Sequence, residues 1–142
     1  MEIVYYFDRE LQYCPVKKYL KQYLPSEKDT PKKYEKKINI FTSIDQKLNN
    51  IRQNGGQAVP PISKPLRGYN FFEVKQSKDS NILIRILYFC HDKEKMVLLN
   101  AFEKPRNYKT QKEKNRIKKQ YNITEKYLNN FKQNPKNYEP YQ

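Results

Sequence analysis

The residue that most calls for a chemical account is Arg85, which interrupts an otherwise apolar run, Ile82-Leu83-Ile84-Arg85-Ile86-Leu87-Tyr88-Phe89. In an extended strand, alternation puts it on the face of Leu83, Leu87 and Phe89. A guanidinium buried there without a partner costs several kcal/mol. Arg85 therefore either pairs, with Glu73 of the preceding segment NFFEVK as partner, or opens onto a cleft. Lys75 closes that segment, and Lys104, Arg106, Tyr108 and Lys109 follow the last apolar run. If hairpins join these strands, Lys75, Arg85 and the Lys104–Tyr108 stretch converge on one sheet face. Such cations suit phosphate chemistry. Arginine binds phosphate in a bidentate fork. A lysine donates a proton, or accepts one where neighbouring cations lower its pKa. Tyr108 can stack on a nucleobase.

The rest of the inventory is narrow. His91 is the one histidine, so neither two-histidine RNA hydrolysis nor a zinc site is expected. Its place at the end of the central strand reads as structural. No glycine-rich phosphate loop occurs. The acidic residues lie scattered among lysines, without a cluster able to hold Mg²⁺, so no metal and no cofactor is expected. Cys14 and Cys90 read as two free thiols of a reducing, cytoplasmic compartment. No apolar run reaches the ~20 residues of a membrane span, and the first residues lack the basic-then-apolar order of a signal peptide. Lys and Arg number 29 against 15 Asp and Glu, a net charge of +14. That field attracts nucleic acid or an acidic protein. AT-rich coding would also enrich Lys, Asn, Ile and Tyr, but drift alone would raise Glu as well.

A chain of 142 residues is one domain's worth. Ile3–Phe7 reads as a first strand. Pro15 opens a helix whose Val16, Tyr19, Leu20, Tyr23 and Leu24 share a face, and Pro25 ends it. Thr30 caps a second helix, with Tyr34, Ile38, Phe41, Ile44 (or Ile40), Leu48 and Ile51 repeating until Gly55-Gly56. Asn70–Lys75, Asn81–His91 and Met96–Lys104 follow as an antiparallel meander, the middle run apolar enough to be covered on both faces. Thr110 and Glu113 form a capping box for a last helix bearing Ile117, Tyr121, Thr124, Leu128 and Phe131. The apolar side of that helix either packs on the sheet or offers a docking face. The order β-α-α-β-β-β-α predicts an α+β fold with a small antiparallel sheet. A single domain is expected over 1–133, and a disordered tail over 134–142.

These segments, in this order, resemble the RelE/HigB toxin superfamily, and most closely its phage-derived Gp49-like members. The resemblance runs from about Val4 to Tyr121 and rests on Leu66-Arg67-Gly68 before FFEVK, IRILYF around Arg85, MVLLNAFEK, and the closing lysine-rich helix. It implies a RelE-like fold and a ribosome-dependent, metal-independent mRNA interferase. Such a toxin is held inactive by an antitoxin, here expected to be of the helix-turn-helix kind, and has the ribosome and mRNA as its other partners. Carried over by motif, Arg85, Lys75 and Lys104 are the implied catalytic cations. Tyr108 stands by proximity for a late catalytic tyrosine. Arg106, Lys109 and Arg67 are implied RNA contacts. Glu73 stands where RelE itself has a second lysine, which leaves the general base unassigned. The same scaffold also serves non-enzymatic ParE-like toxins that inhibit DNA gyrase, and a plain basic RNA-binding module remains a further reading.

Overall fold

The computed structural model describes residues 1–141. The chain folds as β1 (Glu2–Tyr6), α1 (Pro15–Leu20), a 3₁₀ turn (Lys21–Tyr23), α2 (Pro31–Gln53), β2 (Ser63–Pro65), β3 (Phe72–Ser77), β4 (Ile82–His91), β5 (Lys95–Pro105), α3 (Gln111–Gln133) and β6 (Tyr138–Pro140). The caps are those the sequence predicts. Thr30 accepts from Lys33 N–H at 3.2 Å. The Thr110 hydroxyl accepts from Glu113 N–H at 3.2 Å and donates to the Glu113 carboxylate at 2.8 Å. Gly55, at φ +70°, takes the left-handed position that stops α2.

The α+β class holds, and β3, β4 and β5 form the expected antiparallel meander. The sheet is larger than expected and mixed. Its strand order is β2-β3-β4-β5-β1-β6, with β1 parallel to β5. Helices cover both faces, which is why β4 reads as nearly continuous apolar sequence. Ile84, Ile86 and Tyr88 face α1 and α2, where Val16, Leu20, Ile44, Leu48 and Ile51 complete one core. Leu87, Phe89, Val97 and Leu99 lie in the other core with Ile117, Leu128 and Phe131 of α3. The closing helix thus spends its apolar side on the chain's own sheet.

Two expectations are corrected. The first half of α2 projects past the sheet, so Tyr34 and Ile38 are 46% and 37% exposed rather than core. Residues 134–141 are not a disordered tail. β6 pairs antiparallel with β1, and Tyr141 donates to Asp45 at 2.7 Å while its ring lies 5.3 Å from that of Tyr5. Among the described residues no helix is long and apolar enough to cross a membrane.

Candidate active site

The site is floored by four strands, β2 to β5. Residues paired across a ladder project to the same face. Lys75 is paired with Arg85, Lys64 with Glu73, Arg85 with Phe102, and Leu83 with Lys104. Lys64, Glu73, Lys75, Arg85 and Lys104 therefore share the face that α3 covers in part. For Lys104 this depends on an irregularity. Leu87 pairs with Asn100 but Tyr88 with Leu98, leaving Leu99 as the extra residue of a bulge. Strict alternation from Leu98, which faces α1 and α2, would send Lys104 to that same side. The extra residue reverses the alternation beyond it and turns Phe102 and Lys104 toward α3.

The centre of the cluster is Glu73, 1% exposed, with Arg85 at 7%. Arg85 Nη1 donates to Glu73 Oε1 at 2.6 Å, and the Tyr121 hydroxyl donates to Oε2 at 3.2 Å. Lys104 Nζ in turn donates to the Tyr121 hydroxyl oxygen at 3.3 Å. One carboxylate thus tethers Arg85 directly and Lys104 through a phenol. Arg85 Nε is buried with no hydrogen-bond partner among the described residues. Tyrosine rings line the walls. Lys104 Nζ lies 5.0 Å from the Tyr108 ring centre and 5.9 Å from that of Tyr121. Tyr69, from the turn between β2 and β3, sits 5.5 Å from Tyr121.

Charge is unbalanced here, with Lys75, Arg85 and Lys104 around a single carboxylate. Burial, then the nearby Arg85 charge, hold the half-buried Lys75 amine below the ordinary lysine range, and Lys64 and Lys104 add to the effect. Burial, then the Glu73 carboxylate, push the Tyr121 hydroxyl up, so it stays protonated and acts as a donor. The arrangement can bind a phosphate group and offers an amine suited to accepting a proton.

Lys75, Arg85, Lys104 and Tyr108 thus come together as the sequence suggests, with one difference. Arg85 is buried in an ion pair rather than open to a cleft. Arg106 stays outside the cluster, because its Nη2 donates to Ser77 Oγ at 2.6 Å and so braces the β3–β4 turn. Arg67 and Lys109 are exposed, and neither forms an ion pair among the described residues. His91 packs edge-on against Phe131 at 5.2 Å, a structural placement. No three His, Cys, Asp or Glu side chains converge as metal ligands among the described residues. Sequence reasoning missed Tyr121, reading it only as part of an apolar helix face, and it missed Lys64. The pairing of Lys64 with Glu73 depends on β2, a three-residue strand in a proline-rich connection, which left no periodic signal.

The family described as phage derived protein Gp49-like (DUF891) matches residues 28–122. The chain belongs to that family. The matched region begins before α2 and ends one residue past Tyr121, so it holds the whole cationic cluster. The Gp49-like family is toxin-like and related to RelE and HigB, which gives this member a toxin-type character. No curated protein and no solved structure matches the chain.

Proposed function

We propose that this Gp49-like protein is a cytoplasmic, metal-independent endoribonuclease that cleaves mRNA on the ribosome, the toxin of a pair whose antitoxin masks the cationic face. The observation that carries the reading is the convergence of Lys75, Arg85 and Lys104 on one tyrosine-lined face, tethered through Glu73 and Tyr121. In the reaction the ribose 2′-OH attacks the adjacent phosphorus. A P–O2′ bond forms, the P–O5′ bond breaks, and a 2′,3′-cyclic phosphate and a 5′-OH result. Lys75, whose surroundings hold its proton less tightly than an ordinary lysine's, takes the 2′-OH proton through its neutral form. Arg85 and Lys104 stabilise the extra negative charge on the phosphorane, and the Lys104 ammonium supplies a proton to the departing 5′-oxygen. Solvent then restores both lysines. Glu73 and Tyr121 position the cations, and Tyr108 is placed to stack on a base. Complementary charge on an acidic antitoxin would speed docking on a +14 chain.

The test is product chemistry. Purified protein with ribosome-bound mRNA should yield 2′,3′-cyclic phosphate or 3′-phosphate ends. A single 2′-deoxynucleotide at the cleaved position should abolish the cut. Products with 3′-OH ends, or no cleavage at all, would overturn the reading. The buried Glu73–Arg85 pair favours one rival, a non-enzymatic toxin in which the pair is a strut, and the absence of any cleavage is the result that rival expects.

A further inference from the structure

Five cations, Lys112, Lys114, Arg116, Lys118 and Lys119, crowd the first turns of α3, with Glu113 the one acid beside them. This arrangement works against the helix. Positive charge near a helix N-terminus opposes the macrodipole, and Lys114–Lys118 and Lys112–Arg116 are like-charge pairs at i,i+4. Arg116 caps the carbonyl of Glu103 at 3.3 Å. The four lysines are exposed and form no ion pair among the described residues. They fall into two groups. At 3.6 residues per turn, Lys114 and Lys118 lie about 20° and about 60° around the helix from Tyr121, whereas Lys112 and Lys119 lie about 160–180° away. One pair therefore lies on the Tyr121 side of α3 and the other on the opposite side.

Lys114 and Lys118 are about 6 Å apart along the helix axis, comparable to one backbone step of an extended strand. Tyr69, from the turn between β2 and β3, lies 5.5 Å from Tyr121 between ring centres, and Arg67 is exposed in the same turn. Below lies Arg85, whose side chain is 8% exposed and whose Nε has no partner among the described residues. A row of unneutralised cations beside two tilted, packed tyrosine rings, next to the Arg85 guanidinium, matches the chemistry of a single-stranded polynucleotide. Phosphates meet the lysines and unpaired bases meet the rings.

We infer that Lys114 and Lys118 line a single-strand groove, with Tyr69 and Tyr121 as its stacking platform, and that this groove feeds the strand into the cationic floor. The inference takes the cationic face of the proposed nuclease as its setting, but it concerns binding and is tested without cleavage. The probe is a short, fluorescent oligouridylate carrying 2′-O-methyl groups throughout, which cannot be cut. Its affinity is followed by anisotropy across a salt series. For Lys114→Gln/Lys118→Gln the slope of log affinity against log salt should shrink by about 1.4, the value for two lost single-strand phosphate contacts. Lys112→Gln/Lys119→Gln removes the same charge from the same helix and should leave the slope at the wild-type value.

Equal shifts for the two double variants would overturn the groove and leave only a diffuse field. So would absence of binding by the wild-type protein, or equally tight binding of a duplex with the same loss of slope. If the slopes separate as expected but ribosomal mRNA is not cut, the nuclease reading falls while the groove stands. If mRNA is cut and the slopes do not separate, the groove alone falls.

Discussion

Removing either partner of the Glu73–Arg85 pair should unfold more of the protein than removing both. The pair is 2.6 Å long, with side chains 1% and 8% exposed, so solvent screens it little. In Glu73→Ala, Arg85 Nη1 loses its acceptor while Nε is already unpaired, and the Tyr121 hydroxyl loses its acceptor too. Breaking a buried pair from one side costs about 3–5 kcal/mol, a large share of the ~5–15 kcal/mol by which domains are stable. At about 3 °C per kcal/mol for a chain of this size, the melting temperature should fall by roughly 10–15 °C. Arg85→Ala should behave alike, because it leaves Glu73 buried with only Tyr121 as donor. The double variant Glu73→Leu/Arg85→Met buries no unpaired charge. Replacing a whole buried pair by apolar residues of similar size ranges from neutral to about 1–4 kcal/mol stabilising, so its thermal and urea midpoints should return to wild type or exceed it. Ribosomal mRNA cleavage should nevertheless stay at least ~10²-fold down in the double variant, since a charge-stabilising donor is gone. Thermal unfolding and cleavage rates on the same four proteins decide the matter. A double variant as unstable as the singles would refute the electrostatic account of the pair. A folded and fully active double variant would refute the role of Arg85 in the chemistry.

If Lys75 accepts the 2′-OH proton, kcat/KM should climb as pH rises, because only the neutral amine can act, and level off below the ordinary lysine range. Lys75→Arg should flatten that limb, and an unchanged profile in that variant would remove Lys75 as the base. The docked C-terminus makes its own forecast. Tyr141→Ala loses a half-buried ring and the 2.7 Å hydrogen bond to Asp45, which should cost about 2 kcal/mol. The melting temperature should then drop by about 6 °C, whereas an unstructured tail would register no change in a thermal melt.

Much of the architecture is written in local sequence. Thr30-Pro31, Thr110 with Glu113, and the glycines after α2 mark helix ends through groups within a few residues of one another. The alternation in β4 likewise assigns Arg85 to the face of Leu87 and Phe89 before any partner strand is known. The pairing of Glu73 with Arg85 was accessible for the same reason, since both faces follow from period two. What local pattern could not supply was the reach of the sheet. Whether Tyr34 and Ile38 are covered depends on where the sheet ends beneath α2, not on the spacing within the helix. The last residues read as polar tail because a three-residue strand carries no periodicity of its own, and its stability comes from the edge of β1.

The sequence by itself determined which charges exist, which strand and helix faces carry them, and the chain's net charge of +14. Only the tertiary structure decided that they meet. The bulge at Leu99 turns Lys104 to the face of Arg85, and no residue type in MVLLNAFEK announces it, because a bulge is a relation between two strands. Tyr121 becomes a linker between Lys104 and Glu73 through the way α3 lies across the sheet. The lowered affinity of Lys75 for its proton arises from burial and from cations brought close by pairing of β3 with β2 and β4. Charge density and burial are properties of distance in space, and a chain acquires them only when its faces are packed together.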